Sequence, residues 1–171
     1  MTQKRIATAV FMVLLIGLAA RTTAQTPSAW SFDDFKGLSG VQVIVAPVDE
    51  DAERDGLTRA AIQTSVEATL RLADIRVLAQ AEGAKTLGKP VLGVSVDTLA
   101  SNGFYVYNIR VELRQTVQSL VRPGVAYDAT TWNRGKFGTV DAANVRELHD
   151  AVNDFVDEFV NDWLTANPKR P

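Results

Sequence analysis

Cysteine is absent from all 171 residues. A fold without disulfides must be held by its apolar core, and thiol chemistry and a lipid-modified N-terminal cysteine are both excluded. Histidine is nearly as scarce, with His149 standing alone. A single imidazole cannot assemble a metal site without carboxylate help. No G-x-S-x-G occurs: Gly37-Leu38-Ser39-Gly40 has the wrong spacing and precedes a strand, so it cannot form a strand-to-helix nucleophile elbow. No apolar run reaches the roughly 20 residues that a bilayer-spanning helix needs.

The longest such run, Ile6 to Ala20, follows Lys4 and Arg5 and leads to the small residues Thr22-Thr23-Ala24. That order is a secretory signal peptide with cleavage expected after Ala24, and it predicts a periplasmic or secreted protein. A retained transmembrane anchor is the competing reading, but no stop-transfer charge cluster follows. Removing residues 1–24 from the 171 leaves 147, enough for one domain with a sizeable core. The segment takes Lys4, Arg5 and Arg21 from the 18 basic side chains, leaving 15 against 20 acidic ones, a formal charge of −5. Nucleic acid is therefore not an expected partner.

Gln25 to Lys36 reads as a polar leader whose Trp30, Phe32 and Phe35 pack on a domain spanning residues 37–167. Val41 to Val45 is β-branched between Gly40 and Pro47, which predicts a buried strand. The acidic stretch DEDAERDG then reads as a loop. From Thr58 to Ala73, Ile62, Val66, Leu70 and Ala73 recur at helical spacing, opposite Arg59, Gln63, Glu67 and Arg71. Ile75 to Leu78 is expected to be a second short strand. Pro90 to Thr98 alternates, and Asn102-Gly103 signals a tight hairpin into a long strand with Tyr105, Tyr107, Ile109, Val111 and Leu113 on one face. Arg110 and Arg114 occupy the other face. Ala126 to Arg134 reads as the last strand. Asp141 is positioned to cap a closing helix that carries a broad apolar stripe from Val145 to Leu164. The order β-α-β-β-β-β-α predicts an α+β two-layer sandwich, with two helices on one face of a mixed, mostly antiparallel sheet.

Several stretches imitate known sites. Gly83 to Pro90, GAKTLGKP, is one residue from a phosphate-binding loop. Pro90 stands where a hydroxyl should hold magnesium, however, and a strand follows instead of a helix, so the stretch reads as a turn. Asp51, Glu53, Asp55 and Gly56 match the opening of a calcium loop loosely, but Ile62 falls where a bidentate carboxylate is required. Asp150, Asp154, Asp157, Glu158 and Asp162 crowd the last helix, where a water-facing surface is the expected reading. No catalytic residue, cofactor or metal is assigned on these grounds. The remaining candidate is a partner-binding surface of Trp132, Arg134 and Lys136 around a glycine-containing loop, with Arg110 and Arg114 on the open sheet face nearby, because aromatic and arginine side chains anchor protein contacts.

The stretches "DGLTRAAIQTSVEATLRLADIRVL", "GFYVYNIRVELRQTV", "TTWNRGKFGTV" and "FVNDWLTANPKR" resemble an uncharacterised group of small secreted bacterial proteins. In element order the chain is similar to periplasmic α/β domains such as the N-terminal domain of the translocation protein TolB and the periplasmic part of the curli secretion channel. The resemblance implies an accessory or interaction role, with an envelope protein as partner, and brings no catalytic motif. A small-molecule binder or a hydrolase using acidic residues is the alternative. A pocket of roughly 300 Å³ or more with an apolar lining would favour that alternative.

Overall fold

A computed structural model describes residues 32–168; the expected signal segment and Trp30 lie outside them. After a 3-10 turn at Phe32–Phe35 come β1 (Gln42–Val45), α1 (Glu50–Arg54), α2 (Arg59–Leu72), α3 (Gln80–Gly83), β2 (Val91–Ser101), β3 (Phe104–Gln118), β4 (Ala126–Asp141) and α4 (Glu147–Ala166). The strands form one sheet in the order β1-β2-β3-β4. The β1–β2 pair is parallel and the other two are antiparallel. Helix α2 packs on β1, α4 on β3, and the two helices on each other. The class is α+β, with the main helices on one face of the sheet.

Local chemistry accounts for the main elements. Thr58 Oγ1 accepts from the Ala61 amide at 3.2 Å and caps α2, whose Ile62, Val66 and Leu70 are completely buried. The helix stops where Asp74 adopts a φ of 61°. Asn102 and Gly103, with φ of 45° and 86°, make the two-residue turn between β2 and β3. Leu92, Val94 and Val96 of β2 and Tyr105, Ile109, Val111 and Leu113 of β3 alternate inward against Val152, Val156 and Phe159 of α4. Each such side chain contributes about 1.5–3 kcal/mol by leaving water.

Four expectations need correction. Ile75 to Leu78 is not a strand: it touches the sheet at a single bridge, Val41 to Val77, before turning into α3. Ile75 and Leu78 still plug the core. The acidic stretch is not a loop throughout, because Asp49 Oδ1 accepts from the Asp51 amide and starts the short helix α1. Strand β4 continues past Arg134 to Asp141, so Gly135 to Gly138 belong to the sheet and not to a mobile loop. Asp141 does not cap the last helix; it ends β4, a 3-10 turn at Ala142–Asn144 follows, and Arg146 precedes α4. Phe35, expected to pack on the domain, is 1% exposed and lies in the core.

Candidate functional site

The five side chains expected to form one partner surface are distributed over two sides of the sheet. Arg110 and Arg114 lie exposed on the face that the helices leave open. Trp132 pairs with Leu113 across the β3–β4 ladder and shares its inward direction, which leaves the indole 1% exposed. Its ring N–H donates to Asp162 of α4 at 2.8 Å. Arg134, opposite Val111, also points to the helix side. Its guanidinium pairs with Glu158 at 2.6 Å and Asp162 at 3.2 Å, 4.9 Å from the centre of the Trp132 ring. Lys136, opposite Ile109, follows the same parity but remains exposed beyond the packed helix. Trp132 and Arg134 thus clamp α4 to the edge strand, and only Arg110 and Arg114 share the open face.

That open face is polar and cross-linked between strands. Asn108 donates to Asp97 at 3.3 Å, Arg110 lies 3.9 Å from the same carboxylate, Arg114 pairs with Asp128, and Thr130 donates to Glu112 at 3.2 Å. Exposed ion pairs of this kind hold their partners by only about 0–1 kcal/mol, so the arginines are free to change partners. A shallow dent of about 150 Å³ opens beside Gly93, rimmed by Ile44, Arg110, Glu112 and Arg114. Phe137, which follows Lys136 in the stretch read as a contact surface, stands 74% exposed on the same face, opposite Asn108.

The face continues around Ile44 onto the outer edge of β1, which the bridge from Val41 to Val77 covers only at its start. The amides of Gln42 and Ala46 bond inward to the carbonyls of Pro90, just before β2, and Val94 of β2. Alternate residues in a strand turn their peptide groups the opposite way. The carbonyls of Val43 and Val45 accordingly face outward and meet side chains: Arg59 Nε donates to Val45 O at 2.8 Å, and Gln63 Nε2 reaches Val43 O at 3.4 Å. Gln63 donates chiefly to Glu67, which holds that carboxyl below its usual range. A groove of about 650 Å³ runs along this edge, lined by Val43, Ile44 and Ala60 together with Gln42, Glu53, Arg59, Gln63 and Gln80. It exceeds the size set for a small-molecule site, but its surface is as polar as it is apolar and it follows a strand edge, which suits a peptide better than an apolar ligand.

Elsewhere the chemistry is structural. Gly88 and Lys89, both at positive φ, form the turn into β2, and Gly88 O accepts from the Thr116 amide at 2.7 Å. A phosphate cradle would need a helix after this turn. The acids of the calcium-loop look-alike are engaged singly: Asp51 with Arg54, Asp55 with the Tyr105 hydroxyl, Glu53 with the Arg59 amide. Among the described residues no three His, Cys, Asp or Glu side chains converge on a metal-sized site. His149 was read only with its acidic neighbours, yet its Nε2 lies 2.9 Å from Ser65 Oγ on α2, and Ser65 also donates toward Asn153 Oδ1. The sequence separation of 84 residues hid this contact. Asp150, 3.8 Å from the other ring nitrogen, is beyond hydrogen-bonding distance.

No protein-family model matches the chain, and no curated protein matches it.

Proposed function

We propose that the chain is a non-enzymatic docking domain of the bacterial envelope or exterior that binds a protein partner. The partner presents an extended segment to the β1 edge and lays side chains over the open sheet face. The observation that carries this reading is the continuity of the two surfaces through Ile44: an edge whose Val43 and Val45 carbonyls are met only by side chains, beside a face whose arginines are held by weak exposed pairs. Strand addition draws affinity from main-chain bonds and selectivity from flanking side-chain contacts, and both are available here.

Capture from envelope extract by the chain starting at Gln25, with mass spectrometry of what co-purifies, tests the proposal when parent and variants are compared. Arg110→Ala, Arg114→Ala and Ile44→Lys should each weaken recovery of the same partner roughly tenfold, as loss of a contact anchor does. Stability should move by no more than about 0.5 kcal/mol, because these positions lie outside the core. Undiminished capture by all three variants would remove this surface. A hydrolase is the second reading, favoured by the Ser65 to His149 contact. Labelling by a fluorophosphonate probe, abolished in Ser65→Ala, would establish it in place of the first.

A further inference from the structure

A different end of the molecule combines exposed aliphatic side chains with cations that have no acidic partner. Strand β2 accompanies β3 only as far as the Val91 to Arg114 pair, whereas β3 and β4 stay paired out to Gln118 and Ala126. The hairpin therefore projects past the body of the sheet. At its tip Leu120 is 98% exposed and Val121 90%, with Val125 and Tyr127 half-exposed behind them. The turn is held in shape by the Ser119 amide on Val125 O, the Val125 amide on Arg122 O and the Arg122 amide on Ser119 Oγ. The bond from Thr116 to Gly88 brings the turn before β2 alongside, and with it exposed Leu87, Lys85 and Lys89. Among the described residues, Lys85, Lys89 and Arg122 form no ion pair; the neighbouring acids Glu82 and Asp128 are occupied by Arg76 and Arg114.

These aliphatic residues contribute nothing to the core, and a cluster of them on a water-facing turn marks an interaction site. The tip is a hairpin turn with two strongly exposed aliphatic side chains, Leu120 and Val121. A rigid protein partner matches about 800 Å² a side in a stable complex, far more than two side chains supply. A fluid lipid interface closes around a convex wedge of any shape. Aliphatic side chains at the extremity, a tyrosine behind them and cations flanking both reproduce the order of acyl boundary, interface and phosphate layer. The charge is complementary as well: the chain from Gln25 carries −5 overall, so an anionic surface repels most of the molecule and attracts this end.

We propose that this end is a docking site for an anionic phospholipid surface, with Leu120 and Val121 seated at the acyl boundary and Lys85, Lys89 and Arg122 on the lipid phosphates. This goes beyond the protein-docking reading and uses none of its residues. Co-sedimentation tests it, using the chain from Gln25, because the core lies between Phe35 and Ala166 and the apolar run at Ile6 to Ala20 would bind vesicles on its own. The parent should sediment with vesicles of phosphatidylglycerol and phosphatidylcholine and not with phosphatidylcholine alone. Leu120→Ser with Val121→Ser should lower binding roughly tenfold or more through lost apolar burial. Lys85→Gln, Lys89→Gln and Arg122→Gln should each lower it about fivefold. All five positions are exposed, so the circular dichroism spectrum and thermal midpoint should match the parent. Failure of the parent to bind phosphatidylglycerol vesicles, or binding by the aliphatic and the cationic variants equal to the parent's, would overturn the assignment. Tip-dependent capture of a soluble protein without vesicle binding would overturn it too.

Discussion

Tyr105 shows how much one side chain's surroundings decide. It points to the helix side of β3 and donates its hydroxyl to Asp55 Oδ2 at 2.7 Å. That bond first, then burial and the charges of Asp55, Asp51 and Asp49, push its pKa up to about 12, against about 10 for an ordinary tyrosine. The folded state holds this proton more tightly than the unfolded chain. The resulting stabilisation is complete below about pH 10 and disappears as pH rises through about 12. Tyr105→Phe cannot show that decline. Urea midpoints of parent and variant should therefore converge between about pH 10 and 12, and a constant difference across that window would count against the linkage. Neither half of this pair was legible beforehand: Asp55 was read as part of an acidic loop, and Tyr105 only as one residue of an apolar face. Trp132 was legible in kind but not in direction, since an indole beside two cations reads equally as a contact anchor and as core.

The element that misled most is β4. Gly135 and Gly138 look like loop residues, yet each sits in the strand where the neighbouring strand comes close. A Cβ at Gly138 would lie 2.8 Å from Tyr107 Oη, and one at Gly135 would lie 2.9 Å from Ile109 O. Gly138→Ala should consequently cost about 1–3 kcal/mol by overpacking, seen as a lower urea midpoint with an unchanged slope. A neutral result would mean that Tyr107 moves aside freely. The second feature hidden in β4 is a bulge: Leu113 pairs with Trp132 but Arg114 pairs with Thr130, leaving Thr131 unpaired in the ladder. Gln115 satisfies the extra residue by donating to Thr131 Oγ1 at 2.7 Å. Because of this one residue, Thr130 and Trp132 face opposite sides of the sheet, which simple alternation forbids. No sequence signal marks the bulge. Strand β3, with period-two alternation and an Asn-Gly turn before it, was legible almost throughout.

For the molecule as a whole, closure depends on an aromatic cluster assembled from three distant segments. Phe35 meets Phe159 at 5.4 Å, Trp163 at 6.2 Å and Trp132 at 6.4 Å between ring centres. It thereby ties the N-terminal turn to α4 and β4. Gln115 Nε2 donating to Asp34 O and Asn167 Nδ2 donating to Phe35 O fasten the same turn from the sheet and from the end of α4. Phe35→Ala should cost about 3–5 kcal/mol, as a buried aromatic truncation does, measured by denaturant unfolding. A loss below about 1 kcal/mol would place the turn outside the cooperative unit.

What the sequence determined alone was the local and periodic part: the amphipathic α2 and α4, the alternation of β2 and β3, the hairpin at Asn102-Gly103, and from these the α+β class. Those features follow from hydrogen bonds and burial within a few residues of one another, so neighbouring positions carry the signal. The tertiary structure decided everything that depends on which segments meet. It turned Trp132 inward through a bulge, spent Arg134 on α4, brought Ser65 to His149, left the β1 edge open beside Ile44, and set Gly88 against Thr116 of β3. Each of these is a contact between residues far apart in the chain, and packing selects it only once the whole sheet and both helices are in place.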